Sequence, residues 1–257
     1  MARMPRLPAC AWPLVRLYPI ILVLVVWEVL VQYGPMQSRL FPPLGRILAE
    51  IGYLWTNGDY QYHGLFTVAR ALSALAVATI VGIGLGLLMA RSRTIEALLE
   101  PLFSATYPVP RIALYPILIF ALGTGNAWRL LLVFMECLYP ITMNAYYGAK
   151  SVDRTLIWAG QNMGADARCL FWRVVMPASL PYIFTGLRVA GPIALIVTIV
   201  TEMIGGNTGL GYLVIIAANS FQPPRVFAAA FAIALLGFAL DRMMVFVRQR
   251  VLVWERV

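Results

Sequence analysis

The sequence predicts an all-α integral membrane protein of about six transmembrane helices, and three observations carry that prediction. Hydrophobic residues make up 61% of the 257-residue chain and charged residues 12%, with a mean hydropathy of +0.80. A soluble domain of this size cannot hide so much apolar surface. The apolar residues also fall into six runs, each near the ~20 residues that cross a bilayer. Finally, the arginines are dispersed between those runs, so the net charge of +9 fits membrane topology rather than nucleic acid, which a massed basic face would indicate. Cys10, Cys137 and Cys169 form no spaced framework and read as buried or cytoplasm-facing thiols without a disulfide or metal role.

The first run, about Leu17 to Tyr33, follows Arg3, Arg6 and Arg16. It is longer than a signal core and no small-residue cleavage site follows, so it reads as a retained membrane helix. Gly34 to Gly64 is mixed, with the single histidine, His63, and a short amphipathic helix at about Leu44 to Trp55. The second span, about Leu65 to Ala90, is rich in small residues, and Gly82 and Gly86 have the spacing of a helix-packing motif. Arg91, Ser92 and Arg93 end it, and a polar turn leads to a third span, about Leu102 to Leu122. Pro101, Pro108, Pro110 and Pro116 predict that this span is kinked or partly unwound. The fourth runs from about Trp128 to Tyr147 and the fifth from about Tyr182 to Ile204. A glycine-rich loop, Gly205 to Tyr212, and a segment ending in Pro223 and Pro224 precede the sixth, about Val226 to Val247. The tryptophans fall mostly near span ends, as interfacial anchors do.

Six spans place both termini on one side. With the N-terminus inside, Arg3, Arg6, Arg16, Arg91, Arg93, Lys150, Arg154, Arg168, Arg173, Arg242, Arg248, Arg250 and Arg256 are inside. Arg39, Arg46, Arg129 and Arg225 are outside, while Arg70, Arg111 and Arg188, near span ends, are assigned to neither side. Positive charge therefore favours cytoplasmic termini.

That topology makes Ser151 to Pro181, between spans four and five, a cytoplasmic loop. Leu156, Ala159, Gly160 and Met163 recur at helical spacing, and Gly164 supplies a left-handed stop. Asp166 caps a second short helix that Pro177 is expected to end. The pair reads either as a segment lying on lipid or as a knob that docks into another protein. The chain carries no energy source of its own by motif. Its only lysine, Lys150, follows Ala149, so no phosphate-binding Gly-Lys-Ser/Thr is present, and neither HExxH nor Gly-x-Ser-x-Gly occurs. No catalytic residue, metal site or cofactor is expected in this chain.

Intramembrane acids are costly unless paired or facing a polar cavity. Glu28 and Asp241 read as structural. Glu202, with Thr198 and Thr201 just before it, and Glu136 are candidates for lining or gating a pathway; Arg111 is an alternative partner for Glu136.

These features resemble the membrane-spanning permease subunits of bacterial binding-protein-dependent ABC importers, in the branch that includes sulfonate, taurine and nitrate systems. The family loop reads Glu-Ala-Ala, three residues, Gly, nine residues, an aliphatic, one residue, Leu-Pro. Ala159 fits the first alanine, Gly164 the glycine, Val174 the aliphatic and Pro177 the proline. Similarity extends over most of the chain after Leu65, including Pro181 to Ala190, TEMIGG at Thr201 to Gly206 and GLGY at Gly209 to Tyr212. Trp158, Gly160 and Met176 depart from the pattern, standing for Glu, Ala and Leu.

The resemblance implies that Trp158, Ala159, Gly160, Met163, Gly164, Phe171 and Pro177 form a coupling helix docking on a separate ATPase. It further implies two ATP-binding cassette subunits holding ATP and Mg, a second copy of this chain, and an extracytoplasmic solute-binding protein. The site is the bacterial cytoplasmic (inner) membrane, with surrounding lipid and no nucleic acid partner. The solute it implies is a small organic or inorganic anion, with a dipolar or heterocyclic nutrient as the alternative. The expected organisation is an N-terminal helix and extracytoplasmic segment over 1–64 and a permease core over 65–257, with its coupling loop at 151–181. The rival is a secondary transporter or channel-like protein, which predicts an inverted repeat and a coupling-ion site; no repeat is evident.

Overall fold

In the computed structural model, which describes residues 12–34 and 40–256, every regular element among the described residues is helical. Arg3, Arg6, Cys10 and Arg39 lie outside the described residues. Four helices are long and apolar enough to cross a membrane: α3 (Asp59–Arg91), α6 (Ala127–Lys150), a continuous rod over Ala167–Gly205, and α11 (Pro223–Val251). The expected kinked third span is a bent pair. Helix α4 (Arg93–Thr106) meets Arg111–Leu122 at 85°, the latter being a short 3-10 turn leading into α5 (Tyr115–Leu122). Pro108 and Pro110 fall in the break, where each removes a backbone donor that a straight helix needs. Among the described residues this gives four candidate spans, or five with the bent pair. Helix α1 (Trp12–Gln32), 21 residues long, carries the first apolar run.

The core is a three-helix layer in which α6 packs along both α3 and α9 (Met176–Gly205). Small residues permit the approach. A side-chain carbon on Gly82 would meet Ile141 Cγ2 at 2.9 Å, and one on Gly86 would meet Ala145 Cβ at 2.7 Å, whereas Gly84 faces open space. The expected Gly82/Gly86 face is therefore the α3 surface against α6. On the other side of α6, Gly186 abuts Asn144 Cβ and Gly148 abuts Tyr182 Cβ in the same way. Ala74, Ala78, Val133, Cys137, Ile141, Ala190 and Ala194 fill the seam.

Three expectations are corrected. The polar turn after Arg91 shrinks to Ser92 alone, whose hydroxyl accepts from Ile95 N–H at 3.4 Å and so starts α4 at once. The segment before Pro223 holds a further helix, α10 (Leu210–Asn219), too short to span and packed on α9 and α11. And Pro177 does not end the second loop helix. Helix α8 (Ala167–Leu170) passes through a π-turn, Phe171–Val175, directly into α9. In that wider turn Met176 N–H reaches back to Phe171 O, five residues away. This makes room for the proline ring in the turn after it, so the rod continues.

The expected amphipathic helix is present as α2 (Leu44–Thr56). Its first N–H, on Leu44, donates to Glu28 Oε2 at 2.9 Å, so Glu28 on α1 caps a helix from a distance. Trp128, expected at the interface, is fully buried.

Candidate functional site

Two places concentrate chemistry, one at each end of the α3/α6/α9 layer. At the end where α9 finishes, Glu202 has no exposed surface and Arg70 is 6% exposed. Arg70 Nη1 donates to Glu202 Oε1 at 2.7 Å. Thr67 Oγ1 donates to the same carboxylate, at 2.9 Å to Oε2, and accepts from Leu210 N–H at 2.9 Å. Gly211 N–H donates to Oε2 at 3.1 Å. A buried carboxylate is tolerable only with such full pairing. The remaining donors of Arg70 are used as well: Nη1 and Nη2 on Thr208 O and Oγ1 at 2.8 and 2.6 Å, and Nε on Asn126 Oδ1 at 3.1 Å. Arg129 shares Asn126 Oδ1 at 2.9 Å, donates to Gly205 O, and lies over the Trp128 ring.

The glycines here are a consequence of the carboxylate. Gly209 has φ +113°, and a side-chain carbon on it would collide with the Glu202 carboxyl group; one on Gly211 would come within 2.9 Å of Glu202 Cβ. His63 Nδ1 accepts from Gly209 N–H at 3.0 Å, completing the seat. TEMIGG and GLGY, separate in sequence, are thus a single device that ties the α9–α10 loop to α3. Thr198 and Thr201 are buried beneath it, their hydroxyls donating to Ala194 O and Thr198 O of the same helix at 2.7 and 2.8 Å. Glu136 lies apart, paired with Arg111 Nη1 at 3.2 Å beside the bend of α4 and α5. Asp241 pairs with Arg188 at 3.6 Å. The three arginines near span ends therefore each meet an intramembrane acid. Sequence reasoning missed Arg70, Thr67, Asn126 and Thr208; the available signal was an arginine inside an apolar, small-residue run.

At the opposite end, α7 (Arg154–Asn162) and α8 form a helical hairpin between α6 and α9. Asp153 caps α7 by accepting from Thr155 N–H at 2.9 Å, a bond that holds its carboxyl below the usual aspartate range. Gly164, at φ +81°, turns the chain, and Asp166 accepts from Cys169 N–H at 2.9 Å to start α8. Gly160 is explained by packing: a side-chain carbon there would stand 2.6 Å from Leu170 Cδ2, so glycine lets α8 close on α7.

The hairpin exposes several large apolar side chains beside the charged and polar Arg154, Gln161, Arg168 and Arg173. Leu156, Trp158, Met163 and Trp172 are 52%, 57%, 87% and 61% exposed. Ala159 is also exposed, Phe171 sets its ring edge-on to Trp172 at 5.2 Å, and Pro177 lies at the start of α9. Beside the hairpin, Lys150 at the end of α6 contacts Glu96 of α4 at 2.5 Å, and Tyr146 donates to that carboxylate at 2.6 Å. These contacts tie the end of α6, where the hairpin begins, to the first half of the broken span. Among the described residues no cluster of His, Cys, Asp and Glu could hold a metal.

Comparison with known proteins gives this geometry its context. The taurine transport system permease protein of Escherichia coli is 28% identical over 256 residues, covering 95% of this chain and 92% of that protein. The formylaminopyrimidine transport permease protein of Halalkalibacterium halodurans is 33% identical over 217 residues, covering 84% and 86%. Among solved structures, the MetNI methionine ABC transporter in an inward-facing conformation aligns with a TM-score of 0.56 at 17% identity, over 76% of this chain and 96% of that one, a likeness of fold. The family model for the binding-protein-dependent transport system inner membrane component matches residues 82–253, from Gly82 on α3 to the end of α11. The chain belongs to that family and is an ABC transporter permease subunit.

Proposed function

We propose that this permease forms the translocation pathway of an ATP-driven importer in the bacterial inner membrane, for a small organic anion handed over by an extracytoplasmic binding protein. Two copies pair about the pathway, and two ATP-binding cassette subunits, which carry ATP and Mg, dock on the α7–α8 hairpin. Both termini are cytoplasmic, which puts the hairpin in the cytoplasm and the Glu202 knot at the outer end. Residues 65–257 form the working core, with 1–64 attached to it as helix and outer segment.

The observation that carries this reading is the hairpin itself. It exposes Leu156, Trp158, Met163 and Trp172 at the joint between two membrane-crossing helices, in a chain without a phosphate-binding loop. An apolar knob in that position suits a protein partner. Trp158, Ala159, Gly160, Met163, Gly164, Phe171 and Pro177 are assigned to this docking unit. Glu202, supported by Thr198 and Thr201, acts as an outer gate clamp through Arg70, while Glu136 and Arg111 brace the bend of the third span. The sulfonate group of taurine and of the aliphatic sulfonates named for another relative supports a sulfonate-type anion, taurine itself being dipolar; the formylaminopyrimidine relative makes a heterocycle the competing class.

Deleting Gly160 to Arg173 tests the docking role: ATPase copurification should be lost while membrane insertion persists, and retained ATPase would refute it. The ligand carried by the copurifying binding protein decides the solute class.

A further inference from the structure

Between α3, α9 and α11 lies a groove of about 970 Å³, large for a small-molecule site. Its wall is mostly apolar, from Leu72, Leu75 and Ile80 on α3, Phe184 and Leu187 on α9, and Met244 on α11. Polar groups gather towards the α11 terminus, where Arg248 and Gln249 line the groove, and Arg188 lines it from α9, paired with Asp241. Beyond Asp241, α11 carries only basic charges, Arg242, Arg248 and Arg250. The stretch of α11 lining the groove, Met243 to Gln249, is ~9 Å of helix, which fits within the ~15 Å hydrocarbon depth of one leaflet.

We propose that this groove binds an anionic phospholipid of the cytoplasmic leaflet, its phosphate on Arg248 and Gln249 and one acyl chain along Leu72 and Phe184. The leaflet assignment rests on the orientation given under Proposed function; the lipid site itself does not. A hydrophilic solute gains nothing from an apolar wall of this extent, whereas a lipid fills it with matching chemistry at both ends. A basic recess between membrane helices at the headgroup level selects anionic lipid in this way. Arg188, held by Asp241, faces the ester oxygens and adds little net charge.

The test uses the complete transporter reconstituted in vesicles of equal phosphatidylglycerol and phosphatidylcholine, re-extracted in mild detergent, with retained lipids counted by native mass spectrometry. Phosphatidylglycerol should be enriched about fivefold over phosphatidylcholine, as one near-surface arginine implies. Arg248→Gln, with its unfolding temperature measured alongside to confirm the fold, should return the ratio to that of the vesicle. Ala76→Trp, which narrows the apolar wall, should lower retention of both lipids. Equal retention by the unaltered protein, or enrichment unchanged in Arg248→Gln, overturns the proposal. So does loss of enrichment on adding inorganic phosphate or an alkylsulfonate, which would mark a site for a free anion. Disulfide trapping between two Ala76→Cys copies would show a second copy covering the groove and overturn it too. Protease access to a C-terminal tag in spheroplasts reports the orientation separately: cleavage from outside would refute the leaflet and leave the lipid ratio standing.

Discussion

The Glu202 knot and the α7–α8 hairpin use their side chains in opposite ways. At the knot, charged and polar groups are turned inward and spent on one another, so that Glu202 shows no surface and Arg70 uses all three guanidinium nitrogens. At the hairpin, Asp153 and Asp166 cap helices, and Trp158, Met163 and Trp172 stand exposed beside Arg154, Arg168 and Arg173. One end satisfies its polar groups within a single chain; the other leaves large apolar side chains uncovered. The contrast shows where each end draws its stability, and four experiments probe it.

The largest effect is expected at the knot. Glu202→Leu leaves the Arg70 guanidinium buried without its carboxylate, and loss of one partner from a buried pair costs about 3–5 kcal/mol. Thermal unfolding in detergent should register this as a large fall in Tm. Replacing both partners, Arg70→Met with Glu202→Leu, should restore much of the stability while transport stays lost. If the double variant transports normally, the knot is packing alone.

Next is Trp158. A large exposed aromatic at a docking surface is expected to contribute about 2 kcal/mol to binding, roughly a thirtyfold change in Kd on truncation to alanine. Trp158→Ala should weaken ATPase affinity with the unfolding temperature of the isolated permease unmoved, the reverse of the Glu202 result. Trp158→Glu, which restores the family's carboxylate, should also impair assembly and solute-stimulated ATPase activity. Unaltered behaviour of that variant would mean Trp158 makes no apolar contact with the ATPase.

A smaller effect is expected for Gly160→Ala. Alanine gains up to about 1 kcal/mol of helix propensity, but its methyl presses on the flexible end of Leu170. The two nearly cancel, so stability should move by less than about 1 kcal/mol. A larger loss would show that the α7–α8 spacing is rigidly set.

The smallest is a pH effect at Asp153. Its carboxyl is held below the usual aspartate value by the Thr155 backbone N–H and hydroxyl. A folded-state value below the unfolded one means the stabilisation is complete above the ordinary aspartate range and is lost as pH falls through the depressed value. Amide exchange at Thr155 should quicken over that acidic window, and Asp153→Asn should flatten the dependence. The knot lacks any comparable exposed cap and should not respond there.

Much of this was legible in the sequence where the governing physics is local. Gly164 and Asp166 announce a turn and a cap because a left-handed residue and an acid at an N-cap act within four residues, and Gly82 with Gly86 mark one face of a helix. The pairing of Glu136 with Arg111 was foreseeable because both are charges that lipid will not accept alone. Helix α10 was not: its run from Leu210 to Asn219 is too short for apolar content to separate helix from loop. Nor was the course past Pro177, since proline normally stops a helix and only the preceding π-turn lets this one continue. The knot was half visible. Glu202 and the glycines stood out, but their meeting with Thr67 and Arg70, more than 130 residues away, is a property of the packed bundle.

The uninterrupted course of the chain through the π-turn has a mechanical result. From Ala167 to Gly205 the helix is 39 residues, about 58 Å at 1.5 Å per residue, with the docking hairpin joined to one tip and Glu202 near the other. It is a lever. A tilt of about 10° around its midpoint displaces each tip by about 5 Å, farther than any hydrogen bond around Glu202 can stretch. With an ATPase docked on the hairpin as proposed, a push there would arrive at the far end of the same continuous helix as a force on the Arg70 contact.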